Sequence, residues 1–234
     1  MLKVLSDSID VRRVIILSSL LIWCIALITL RVIRTDTKVF IFLCWNLFLA
    51  AIPLMASTML KITEQFKMPV VIQLICFSFW LVFFPNAPYI LTDLIHLMPR
   101  PPVPLWYDLA LLLSFSGTGL LVGYLSLDDV QNVITRRFGA VAGWLAVIIS
   151  LMLTGFGIYL GRFLRWNSWD VLTNPSGLFA DLADRALNPF SHPRTLAVTV
   201  IFGVALTLGY VALRVLMLRT EDTGLPKQIH GEAV

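Results

Sequence analysis

Tyr89, Asp93 and His96 stand at i, i+4 and i+7 behind two prolines, in the run Phe83-Phe84-Pro85-Asn86-Ala87-Pro88-Tyr89-Ile90-Leu91-Thr92-Asp93-Leu94-Ile95-His96-Leu97. On an α-helix those three side chains share one face, with Thr92 beside them, while Ile90, Leu91, Leu94, Ile95 and Leu97 cover the rest. A phenol and an asparagine can position a ligand by hydrogen bonds, and a carboxylate beside an imidazole can move a proton. Downstream, Asp108 offers a second carboxylate. The stretch Gly161-Arg162-Phe163-Leu164-Arg165-Trp166-Asn167-Ser168-Trp169-Asp170 adds two guanidinium groups, which suit acidic or phosphorylated head groups. The residues assigned to chemistry are Asp93, His96 and Asp108. Those assigned to ligand contact are Asn86, Tyr89, Arg162, Arg165, Asn167, Trp169 and Asp170.

The elements that must carry these residues are membrane helices. The chain has 234 residues, 58% hydrophobic and 14% charged, with a mean hydropathy of +0.85. A soluble domain has about 45–50% apolar and about 25% charged residues. Apolar runs at about 14–33, 39–60, 70–97, 105–127, 139–161 and 195–217 give six spans in a single membrane domain over 1–234, an all-α polytopic fold. The third span is broken at Pro85 and Pro88. Counted from Val70, Phe84 lies about 22 Å into a hydrocarbon layer about 30 Å thick, so Asp93 and His96 fall near its far face. The second span carries Asn46 and Pro53, with a kink expected at Pro53, and Asp128, Asp129, Arg136 and Arg137 read as the loop after the fourth. Pro99 to Pro104 forms a stiff connector. Asn174-Pro175 reads as an N-cap with proline at N1, opening a short amphipathic helix at the interface between spans five and six. Leu178, Phe179, Leu182 and Ala186 form its apolar side.

Glycines at small-xxx-small spacing (Gly119/Gly123, Gly139/Gly143 and Gly157/Gly161) predict close helix packing. Cys24, Cys44 and Cys76 lie in apolar runs without CxxC spacing and read as small buried hydrophobes. The net charge of +4 is spread in pairs at span ends, such as Arg12-Arg13 and Arg136-Arg137. It sets topology and excludes a nucleic-acid partner. No P-loop, GxGxxG or Ser-His-Asp order is present, and the sequence leaves the cofactor unknown.

Span counting puts the end of span three, the start of span four and the end of span five on one side. All ten candidate residues therefore sit at one face of the membrane. Basic residues divide ten to eight in favour of the face holding both termini, with Lys3, Arg12, Arg13, Arg214, Arg219 and Lys227 among the ten. That balance leans towards cytoplasmic ends.

The run FFPNAPYILTDLIHL, then Leu105-Trp106-Tyr107-Asp108-Leu109 and the Gly161–Asp170 stretch, resembles the bacterial membrane-protein family catalogued as domain of unknown function 1361. The resemblance covers the second through the sixth apolar segment. It implies a multi-pass protein of the bacterial inner membrane and supplies no activity.

Three arrangements suit the clustered residues. In the first, Asp93 or Asp108 pairs with Arg162 or Arg165, Trp106, Trp166 and Trp169 form an interfacial belt, and the prolines end a helix. In the second, the helix break opens a polar cavity for an anionic or amphipathic, lipid-linked small molecule. In the third, Asp93, His96 and Asp108 hold a divalent ion, although the arginines disfavour a cation and no metal ligand is assigned. His192 reads as a turn histidine and His230 as a tail residue. A one-sided binding or processing site is the leading expectation. The alternatives are a small permease gated by the broken helix and an assembly protein with no ligand. Mid-depth polar residues are few (Asn46, Thr118, Ser150 and Thr154), which favours the one-sided site. The bilayer is the partner the sequence requires, and oligomeric state is not constrained.

Overall fold

In lipid a backbone has only itself to hydrogen-bond, so each long uncharged run must close into a helix. A computed structural model of the chain describes residues 11–222 apart from residue 168. Lys3, Ser168, Lys227 and His230, and the side chains of Ala186 and Arg219, lie outside the described residues. The helices are α1 (Val11–Thr35), α2 (Phe42–Gln65), α3 (Val70–Phe83), α4 (Leu105–Phe138), α5 (Ala140–Tyr159), α6 (Pro175–Leu187) and α7 (Pro193–Asp222). Six helical segments are long and apolar enough to cross a membrane, and no strand forms among the described residues. The chain is an all-helical, multi-pass membrane protein.

α4 is the central post. Its best apolar window is 61% buried, against 17% for α1 and for α7. One packed cluster gathers Trp80, Phe84, Leu151, Ile158 and Tyr210 against α4, and a second gathers Cys24, Leu43, Ile90, Leu111 and Phe115. The helix is also longer than the sequence suggests. Asp128, Asp129, Arg136 and Arg137, expected in a loop, occupy its last turns. The acidic pair has no need of water, because Arg13, Lys61 and Arg214 reach it from α1, α2 and α7 at 2.6–3.4 Å. Gly139, with φ of +89°, then reverses the chain directly into α5. That backbone conformation strains any residue carrying a Cβ.

The third span breaks where expected, but does not resume as an α-helix. After Phe83 come a single turn, Asn86–Tyr89, and a 3-10 segment, Ile90–His96. Pro85 and Pro88 bring no N–H to the helical ladder. Ala87 therefore donates to Phe84 rather than Phe83, and the Asn86 side chain donates to the Phe83 carbonyl at 2.9 Å. The Ser116 hydroxyl from α4 donates to the Ile90 carbonyl at 3.1 Å. With three residues per turn, Asp93 and His96 stay on one face.

Two glycine stripes hold this irregular segment. A Cβ on Gly123 of α4 would lie 2.9 Å from the Ala87 Cβ, and one on Gly157 of α5 would lie 3.0 Å from the Pro85 Cβ. Gly119 and Gly161 face Ile90 and Tyr89 in the same way. The spacing that predicts close helix packing thus seats the broken helix. Gly117, by contrast, has nothing within 4 Å of its would-be Cβ. Gly123→Val is expected to overpack the seat and destabilise the protein by about 1–3 kcal/mol. Gly117→Ala should be neutral or stabilising by up to about 1 kcal/mol through helix propensity. Thermal unfolding of the purified variants compares the two.

Candidate functional site

Asp93 is 1% exposed, and a carboxylate so placed needs partners. Arg162 Nη2 donates to its Oδ1 at 2.7 Å, and Asn46 Nδ2 donates to its Oδ2 at 2.7 Å. One side chain therefore ties the 3-10 segment to α2 and to the end of α5. Arg162 sits in Leu160–Leu164, where α5 widens into a π-turn before Arg165 adopts the left-handed conformation at φ +63°. Its guanidinium also donates to the Thr92 hydroxyl, approaches His96 Nε2 at 3.4 Å and lies 4.8 Å over the Tyr89 ring. Asp93 and His96 thus both meet Arg162. His96 packs edge-on against Phe42 at 5.3 Å, and its carbonyl accepts from Arg100 at 2.8 Å.

These groups form one end of a cavity of about 580 Å³. Its polar end carries Asn46, Asn86, Tyr89, Asp93, His96, Arg162 and Asn167. Leu49, Leu81, Val82, Leu153 and Phe156 line the apolar end. Leu153 precedes Arg162 by nine residues, so the apolar end reaches about 13 Å below the guanidinium. The volume is that of a small-molecule site, for which about 300–1,000 Å³ is usual.

The loop after α5 and the amphipathic α6 complete the walls. Trp166, Trp169, Leu178 and Leu182 line the cavity, and the Trp166 indole N–H donates to Asp181 of α6 at 2.7 Å. Asn174 caps α6 by accepting from the Gly177 amide at 3.2 Å, with Pro175 in its first turn. Asp170 stands outside the lining. It accepts from the Asn167 amide at 2.7 Å and from the Thr173 hydroxyl at 2.9 Å. These bonds, the Asn167 amide first, hold its carboxyl below the ordinary aspartate range. Its place in the structure is that of a loop brace. Arg165 is exposed and outside the lining.

Asp108 is elsewhere. Arg31 of α1 grips it with Nε at 2.7 Å and Nη2 at 3.1 Å, and both side chains are nearly sealed, at 2% and 1% exposure. Arg31 also lies 4.6 Å over the Phe40 ring. Arg31 reads in the sequence as the charged end of a span, with nothing to tie it to Asp108. With Asp108 held by Arg31, Asp93 is the one carboxylate in the cavity lining among the described residues, beside the His96 imidazole. Among the described residues, no group of three His, Cys, Asp or Glu is placed to hold a metal ion. Asn46, which the sequence offers only as a mid-depth polar residue, lies in the cavity lining and bonds Asp93. Its signal was a lone amide at mid-span depth, where a polar side chain needs a partner.

Asn46 apart, the polar groups named at mid-depth lie outside the lining of the cavity. Thr118 and Thr154 donate to carbonyls of their own helices, and neither lines it.

Both buried pairs leave an arginine stranded when the acid is neutralised. Asp108→Asn is expected to lower stability by about 3–5 kcal/mol. Asp93→Asn should cost less, because Arg162 faces the cavity and keeps access to water. Replacing Arg31 and Asp108 together with Met and Leu should recover most of the loss. Melting curves of the four proteins provide the ranking.

No curated protein and no solved structure matches the chain. A family model does, over residues 45–208, and its description is "Protein of unknown function (DUF1361)". The matched region holds all the cavity-lining residues except Phe42. Since it spans well over half of the sequence, the chain belongs to the DUF1361 family.

Proposed function

We propose that this protein binds or processes an amphipathic, lipid-linked small molecule in the cavity behind the broken third helix. The observation that carries the reading is the division of the lining. Hydrogen-bonding groups surround the Asp93–Arg162 pair at one end, and aliphatic and aromatic side chains continue from it at the other. A polar head would lie beside Tyr89, His96 and Arg162, with its tail along Leu49, Leu81 and Leu153. Asn46 holds Asp93 and Asp93 holds Arg162, so Asp93 acts as a positioning residue. The Tyr89 hydroxyl makes no hydrogen bond among the described residues and is open to a ligand. An acidic head would also draw on the exposed Arg165 at the same end of the protein.

The test is thermal unfolding of purified protein with single-chain amphiphiles of graded head group. A ligand at 100 times its dissociation constant adds about 2.7 kcal/mol of stability. Leu49→Trp, which fills the apolar end, is expected to remove that gain while leaving the unliganded protein folded. A wild type that no amphiphile stabilises, or a gain that survives Leu49→Trp, sinks the proposal.

We also place the protein in the bacterial inner membrane with both ends in the cytoplasm, following the ten-to-eight division of basic residues. The cavity then opens on the periplasmic side. In a cysteine-free background, cysteines at Pro102 and Ser176 should react with an impermeant reagent added to intact cells. One at Glu64 should react only after lysis. The reverse pattern would invert the orientation.

A further inference from the structure

Charge separates the head groups this cavity can hold. Asp93 and Arg162 are the charged residues in its lining, and they neutralise each other at 2.7 Å. All three guanidinium nitrogens are engaged, with Asp93, Thr92 and His96, and one flat face lies over Tyr89. These bonds take four of its five N–H groups, so a phosphate would meet one remaining Nη1 N–H while facing the Asp93 carboxylate. Apart from that N–H, the unused polar atoms named here are neutral. Among the described residues the Tyr89 hydroxyl, the Trp45 and Trp169 indole N–H groups and the Asn46 carbonyl oxygen make no hydrogen bond. Two of these residues are tryptophans, and Trp166 adds a third indole to the lining.

Donors and acceptors mixed in this way suit hydroxyl groups, since each hydroxyl both donates and accepts. The indoles suit a saturated ring. The C–H groups on a sugar face carry weak positive charge and pack on the negative face of an aromatic system. We infer that the polar head is an uncharged, hydroxylated one, a sugar or polyol carried on a lipid tail. The inference rests on the amphipathic cavity reading and narrows its ligand class.

The experiment uses the full chain in phosphatidylcholine nanodiscs, with binding measured by native mass spectrometry. The probes are a monoglucosyl diacylglycerol, the parent diacylglycerol and phosphatidic acid, all with the same acyl chains. The glucosyl lipid should bind about tenfold more tightly than either of the others, equivalent to one or two additional hydrogen bonds. Its binding should change little in high salt, which screens charge-driven association. Tyr89→Phe and Trp169→Ala should each weaken it by about fivefold, in variants whose melting temperature matches the wild type. Phosphatidic acid binding as well as or better than the glucosyl lipid overturns the inference and leaves the amphipathic cavity standing. Diacylglycerol binding equally well does the same, because the head is then not recognised. If none of the three exceeds the phosphatidylcholine background, the cavity reading falls with it.

Discussion

A buried carboxylate fixes the middle of this structure. Asp93 is sealed from solvent, and its two oxygens are met by Arg162 and by Asn46. Those donors come from opposite flanks, one from the end of α5 and one from the first half of α2. Moving any of the three elements would strand a charge or an amide in apolar surroundings, which costs several kcal/mol. The break in the third span is the local condition for this arrangement. Pro85 and Pro88 end the α-helical ladder, and the 3-10 segment that follows sets Asp93 above His96 on one face.

The same logic, charge met by charge, organises the bundle around α4. Arg13 near the start of α1 reaches Asp128 and Asp129 near the end of α4, while Arg31 near the end of α1 reaches Asp108 near the start of α4. The two arginines are eighteen residues apart, or about 27 Å along a helix, close to the hydrocarbon thickness of about 30 Å. The antiparallel pair is therefore clamped at both membrane faces. Between the clamps, α1 adds mainly apolar packing, with Cys24, Leu27 and Ile28 inside.

Much of this architecture was legible in the residues, because span number depends on long apolar runs that survive any packing arrangement. The helix break, the Asn174 cap and the tight glycine contacts were legible for a similar reason, since each follows from local backbone chemistry. What the residues left open was position around the bundle axis. Span counting placed Asp93, Asp108, Arg162 and Arg165 on one face of the membrane, but gave no angle. Asp108 turns towards α1 and Asp93 towards α2 and α5, so the two acids serve different arginines. The end of α4 was misplaced for a related reason. Asp128 and Asp129 look like a loop until Arg13, Lys61 and Arg214 are seen to neutralise them within the helix.

The proposal of a one-sided site draws on how the two ends of the bundle are closed. At the cavity end, the third span yields at Pro85, and the space beside it is walled by Gly157, Leu160 and the flank of α2. Towards the other end the third span is an unbroken helix. Just before the break, Trp80 and Phe84, both fully buried, stack at 4.7 Å, and the Trp80 indole donates to Ser126 of α4 at 3.3 Å. Beyond them lies the network that joins Asp128, Gln131 and Asn132 of α4 to Arg214 of α7. A path through the protein would have to part this stack and these ion pairs together. The proposed ligand, entering and leaving by the same face, would disturb neither.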